Sequence, residues 1–146
     1  MPISERGGAM AEKLLIVDDE PDMLKLLGMI IRDKTQYETI TTNNPAEALD
    51  IVKRGGYDLV ITDLKMPGLD GVEMLEAVKK FDPDIPVIIM TAYGTVETAE
   101  ESLSKGAFDF ITKPFRKEQI LFTIEKAMSW LRLQRENKKL KQQLGS

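Results

Sequence analysis

The chain of 146 residues reads as an α/β domain, a doubly wound parallel sheet of five strands with an extended C-terminal helix. Three observations carry this. Short, continuous apolar runs alternate with helix-period stripes, and β alternating with α at this length argues a doubly wound sheet. Polar residues suited to chemistry stand at the ends of the runs. After the last run, Gln119 to Leu144 contains neither Gly nor Pro, so one long helix closes the chain.

The strands come in two kinds. LLIV at 14–17, LVI at 59–61 and VIIM at 87–90 are unbroken apolar runs, as suits strands buried on both faces. Residues 37–42 and 108–112 mix polar with apolar side chains and belong at sheet edges. Between the first two strands, Leu24, Leu27, Ile30 and Ile31 form a helical stripe. Asn44-Pro45-Ala46-Glu47 opens the next helix with an Asn N-cap, Pro at the first helical position and an acid at N3. Gly55-Gly56 ends it. Val72, Leu75 and Val78 mark the third helix. Val96, Ala99 and Leu103 mark the fourth, with Gly106 as its stop. Pro67-Gly68 suits a turn, and Gly71 a backbone that a side chain would obstruct. The result is (βα)5, and its edge strands match the flavodoxin-like order 2-1-3-4-5, taken partly by analogy. Residues 1–11 read as a disordered leader, 12–128 as the domain and 129–146 as a helical linker.

Composition excludes whole classes of chemistry. The chain has no Cys and no His, so disulfides, thiolate or imidazole zinc sites and His-based triads are out. A metal would need oxygen ligands, which points to Mg²⁺, Mn²⁺ or Ca²⁺. The start lacks the apolar segment of a secretory signal, and no run approaches the roughly 18 residues that span a bilayer. A soluble, cytoplasmic protein without a membrane partner is expected. No G-x-x-x-x-G-K-[ST] or G-x-G-x-x-G occurs, so nucleotide binding has no support. Charge is uneven. From Arg116 onward there are eight Lys/Arg against three Asp/Glu, leaving 12 against 21 upstream. An acidic body draws cations, and a basic tail draws anions or forms a solvated face.

Open α/β sheets bind ligands beyond the carboxyl ends of their strands. There the first strand ends in Asp18-Asp19-Glu20, the third in Asp63, the fourth in Thr91 and the fifth in Lys113. Carboxylates converging to 4–5 Å repel by about 3–4 kcal/mol at an effective dielectric near 20. A hard divalent cation relieves that repulsion, and Mg²⁺ takes a few carboxylates while keeping several waters. An ionised Asp, a metal and a Lys together suit in-line phosphoryl transfer onto carboxylate.

These residues sit in IVDDEP at 16–21, ITDLKMPGLDG at 61–71, MTA at 90–92 and TKPF at 112–115. In that order and spacing they resemble the receiver domains of two-component response regulators, from about Lys13 to Ala127. The resemblance implies that Asp63 is the phosphoacceptor and that Asp18 and Asp19 position Mg²⁺, with the Lys65 backbone carbonyl as a further ligand. It implies that Lys113 pairs with the phosphoryl group, that Thr91 moves to bond it, and that Ala92 is the small residue beside its oxygens. Phe110 takes the aromatic switch position, and the Lys113–Pro114 peptide is cis. With no His here, the phosphoryl group comes from a sensor histidine kinase or a small acyl phosphate. The expected protein is thus a switch that catalyses only its own phosphorylation and dephosphorylation. A haloacid-dehalogenase-like phosphatase also uses an Asp nucleophile but needs a second acid two residues on, where Lys65 stands.

The tail adds an output. Trp130, Leu133, Asn137, Leu140 and Leu144 follow a +3, +4, +3, +4 spacing, an a/d seam with Asn at an a position, which fixes register in parallel dimers. A homodimer through this helix is expected. LRLQRENKKL at 131–140 resembles the linker after receivers of NtrC-like, sigma-54-dependent transcription activators. That implies output domains beyond this chain; the alternative is a stand-alone receiver acting by protein–protein contact. Arg132, Arg135, Lys138, Lys139 and Lys141 have one aromatic neighbour, Trp130, and nothing that reads bases, so no direct nucleic-acid binding is expected.

Overall fold

A computed structural model of the chain describes residues 11–66, 68–92 and 96–145. The expected leader, but for Ala11, and Pro67 of the expected turn lie outside the described residues.

Five strands form one parallel sheet: β1 (Lys13–Val17), β2 (Glu38–Thr42), β3 (Leu59–Asp63), β4 (Val87–Thr91) and β5 (Asp109–Thr112), in the order 2-1-3-4-5. The helices are α1 (Pro21–Lys34), α2 (Pro45–Arg54), α3 (Gly71–Phe81), α4 (Val96–Ser104) and α5 (Lys117–Gly145). A short antiparallel ladder, Lys65–Met66 with Leu69–Asp70, lies between β3 and α3.

Side chains alternate across a strand, so each inner strand feeds two cores. Leu14 and Ile16 of β1, Leu59 and Ile61 of β3, and Ile88 and Met90 of β4 pack with α1 and α5. Leu15 and Val17, Val60, and Val87 and Ile89 pack with α2 and α3. Burial on both faces is why these strands read as unbroken apolar runs.

The helix signals hold in detail. Asn44 Oδ1 accepts from the Glu47 N–H at 3.1 Å, and Gly55, at φ +78, caps the end of α2. Leu27, Ile30 and Ile31 are buried on α1, and Leu75 and Val78 on α3, joined there by Met74. The stripe on α4 needs correction. Leu103 is 39% exposed and Ser102 is fully buried; the side chains of Val96 and Ala99 lie outside the described residues. An apolar stripe cannot reveal a small polar residue turned inward.

Register sets the site. Val17 pairs with Thr42 and Thr62, Asp63 with Met90, and Thr91 with Thr112. The strands therefore end level, and Asp18, Asp63, Thr91 and Lys113 reach one rim.

Candidate phosphoacceptor and metal site

Three of the rim residues, Asp18, Asp63 and Lys113, are charged, largely buried and mutually paired. Asp18 is fully buried directly after β1, and its Oδ1 accepts from the Glu20 N–H at 2.9 Å. Asp63 closes β3, and Lys113 follows β5. The Lys113 Nζ donates to Asp18 Oδ2 at 2.9 Å and to Asp63 Oδ2 at 3.3 Å, and lies 3.6 Å from Glu20 Oε1. Its backbone N–H donates to the Thr91 carbonyl at 2.7 Å, tying the Lys loop to the end of β4. The Lys113–Pro114 peptide is cis.

Burial pushes the Asp63 carboxyl above its ordinary range. The Lys113 charge opposes that, the Asp18 charge adds to it, and hydrogen bonds from Lys113 and the Lys65 N–H pull back without reversing it. For Lys113, burial alone would lower the ammonium. The hydrogen bond and charge of Asp18, then those of Asp63, outweigh it and move the group up.

Asp18, Asp19, Glu20 and Asp63 each bring one carboxylate oxygen within 4.8 Å of the others. Asp18 and Asp63 are buried, while Asp19 and Glu20 are exposed. An all-oxygen, hard donor set of this charge fits Mg²⁺. Glu20 is the member that the sequence reasoning left without a role, although the DDE triplet carried it.

The other candidates are placed as follows. Thr91 is buried at the end of β4, and Ala92 follows it exposed. Lys65 is exposed, in the short ladder beyond Asp63. Phe110 on β5 is half-buried against the α2/α3 core. Gly71 opens α3 under Asp63: its N–H donates to the Leu64 carbonyl at 2.6 Å, and a Cβ there would stand 2.8 Å from the Asp63 carbonyl oxygen.

The tail residues divide. Leu133, Leu140 and Leu144 are exposed, and so is Asn137. Trp130, expected to face water in a single chain, is half-buried, its ring 5.8 Å from that of Phe108. The neighbouring Leu131 is almost wholly buried in the α1/α5 core. Trp130 is thus occupied by its own domain. Among the described residues no helix is long and apolar enough to cross a membrane.

Residues 14–125 match the family model of the response regulator receiver domain. Sporulation initiation phosphotransferase F of Bacillus subtilis is 43% identical over 117 residues, covering 80% of this chain and 94% of that protein. The nitrogen assimilation regulatory protein NtrX of Azorhizobium caulinodans is 38% identical over 135 residues, covering 91% of this chain; the chain spans 30% of that regulator's length. The beryllofluoride-activated NtrC4 receiver domain dimer, solved in solution, superposes with a TM-score of 0.77 at 34% identity, over 82% of this chain and 98% of that one.

Proposed function

The chain belongs to the response-regulator receiver family, and on that premise we propose that it is a phosphorylation switch whose acceptor is Asp63. The observation that carries the reading is the convergence of two buried carboxylates, Asp18 and Asp63, on the one ammonium of Lys113. An Asp63 carboxylate oxygen forms the new O–P bond while the bond from phosphorus to the donor breaks, with the electron pair leaving on the donor's imidazole or carboxylate. Lys113 then follows the charge, passing from the carboxylates to the phosphoryl oxygens. Thr91, at the end of β4 and one residue beyond the Met90 that pairs with Asp63, supplies a hydroxyl for the same group, and the exposed Ala92 leaves room beside it. Phe110 on the neighbouring β5 is the residue through which Thr91 movement would reach the surface.

Asp18 and Asp19, with Asp63 and the Lys65 carbonyl, would hold Mg²⁺. When bound, the ion neutralises charge on the carboxylates and the transferring phosphoryl group. The chain is cytoplasmic and acts only on itself, takes its phosphoryl group from a sensor histidine kinase, and controls a transcription-activator output of the NtrC-like, sigma-54-dependent kind. Leu133, Asn137, Leu140 and Leu144 form the seam of a parallel two-fold dimer, in which the two Asn137 amides can hydrogen-bond each other. The near-complete overlap with sporulation initiation phosphotransferase F favours a second reading, a switch acting by protein contact alone.

The test is phosphorylation by acetyl phosphate with Mg²⁺. One acid-stable, base-labile phosphoryl group is expected, absent in the folded Asp63→Asn variant. Undiminished labelling in that variant would overturn the assignment.

A further inference from the structure

α5 continues well past the point where it stops burying apolar side chains. Leu131 is its last buried residue, yet the helix runs to Gly145. A free helical stub shorter than about 12–15 residues is marginal in water. This one leans on the body through charge. Arg132 Nη2 stands 2.8 Å from Glu12 Oε1 and donates to the Tyr37 hydroxyl at 2.9 Å. Arg135 Nη2 lies 2.7 Å from Asp58 Oδ1, and Lys138 Nζ pairs with Asp84.

The three acids stand just upstream of β1, β3 and β4, which are consecutive neighbours in the sheet. Three residues of α-helix advance about 4.5 Å. Neighbouring strands lie about 4.8 Å apart. A row of cations at i, i+3 and i+6 therefore meets one acid per strand. A helix repeat is matched to a sheet repeat, and scattered surface charges would not show that order.

We propose that the N-terminal rim of the sheet is a cradle for the chain's own basic extension, in which Glu12, Asp58 and Asp84 hold Arg132, Arg135 and Lys138. The cradle keeps α5 helical beyond Leu131 and fixes the face it turns outward. With Asn137 at a heptad a position, the three cations fall at c, f and b, outside the a/d seam. Docking and pairing then use different sides of one helix, and the exposure of Leu133 (62%), Leu140 (44%) and Leu144 (86%) follows. Single surface ion pairs contribute little. Here three of them oppose only the fraying of a marginal helix, so a small total decides the outcome. The cradle lies at the opposite end of the sheet from Asp63 and asks nothing of the phosphoryl chemistry.

Amide hydrogen exchange on the full chain tests this, in a Leu133→Gln/Leu140→Gln background that removes protection by pairing between copies. Amides from Arg135 to Leu140 should be protected at low salt. Arg135→Glu with Lys138→Glu should speed their exchange by roughly fivefold or more, with β1 and β3 amides unchanged. Salt at about 0.5 M, where screening acts within a few ångströms, should erode the protection in the same way. Lys138→Glu alone should weaken it, and adding Asp84→Lys should restore it. Asp84 is chosen because Asp58 also accepts from the Lys13 N–H at 2.8 Å and so helps to hold β1. The cradle is overturned if the tail exchanges as unstructured chain in that background. Equal protection after charge reversal, or failure of the swap to restore it, would overturn it too.

Discussion

Replacing Lys113 by Met removes the cation that faces two buried carboxylates, and the structure sets the size of the effect. The Lys113 side chain is 10% exposed, that of Asp63 11%, and that of Asp18 not at all. At the 2.9 and 3.3 Å separations, each attraction is worth about 5–6 kcal/mol at an effective dielectric near 20. Much of that offsets the desolvation of the three groups. Removing one partner of a buried pair nevertheless costs about 3–5 kcal/mol, because the remaining charge is stranded. For a domain of this size that lowers Tm by roughly 10–20 °C. Thermal melts in EDTA should show this drop.

Mg²⁺ should then recover more stability in Lys113→Met than in the parent, because the carboxylates it joins have lost their other cation. A ligand at a hundred times its Kd adds about 2.7 kcal/mol, so the recovery is measurable. A variant that melts within about 3 °C of the parent in EDTA would show that Lys113 does not balance these charges. A smaller Mg²⁺ response than the parent's would refute the shared site.

Three further outcomes are expected. Asp63 is held above its ordinary range, so the folded metal-free chain binds its proton more tightly than the unfolded one, and stability falls as pH rises through that raised value. Asp63→Asn in EDTA should therefore be at least as stable as the parent at pH 7, with the gap closing as pH falls below the carboxylate range; paired denaturation curves check this. Gly71→Ala would bring a Cβ to 2.8 Å from the Asp63 carbonyl oxygen and 2.9 Å from Leu64 Cα. Overpacking against backbone should cost about 1–3 kcal/mol and slow acetyl-phosphate labelling at Asp63; unchanged labelling kinetics would mean the acceptor loop tolerates the shift. Leu133→Gln with Leu140→Gln should convert a dimer to a monomer by sedimentation at micromolar concentration without lowering Tm of the body. Equal masses for parent and variant would remove the seam. Truncation is a poorer test, since ending the chain near Ala127 also deletes Leu131 from the core.

How far the sequence carried each part depended on what buried it. β1, β3 and β4 were legible because double-sided burial leaves no polar position in the run. The edge strands began one residue later than expected. Tyr37 and Phe108 precede β2 and β5, and an aromatic residue beside a strand reads as strand. The convergence of side chains on one rim was legible for a related reason: Asp18, Asp63 and Thr91 stand where apolar strands stop, so their polarity has no packing explanation, and Lys113 follows the edge strand beside them. Ser102 was not legible, because a serine beside Glu100 and Glu101 reads as a surface residue.

The tail shows where periodicity alone stops deciding. Ile120, Leu121, Phe122, Ile124, Ala127, Met128, Trp130, Leu131 and Leu133 cover more than half of the helix circumference. A seam can be drawn through Trp130 as easily as through Leu131, and only tertiary contact chooses between them. The domain takes Leu131 into its core and draws Trp130 against Phe108, which leaves Leu133, Leu140 and Leu144 exposed for the proposed seam. The basic stripe was equally ambiguous. Arg132, Arg135 and Lys138 look like a solvated face until their partners are known, and those partners, Glu12, Asp58 and Asp84, are separated from one another by whole βα units. A charge pattern within one helix carries no sign of such partners. The spacing of three becomes meaningful only when the strand order puts the acids side by side, so the topology, and not the tail's own sequence, would determine which way the proposed seam faces.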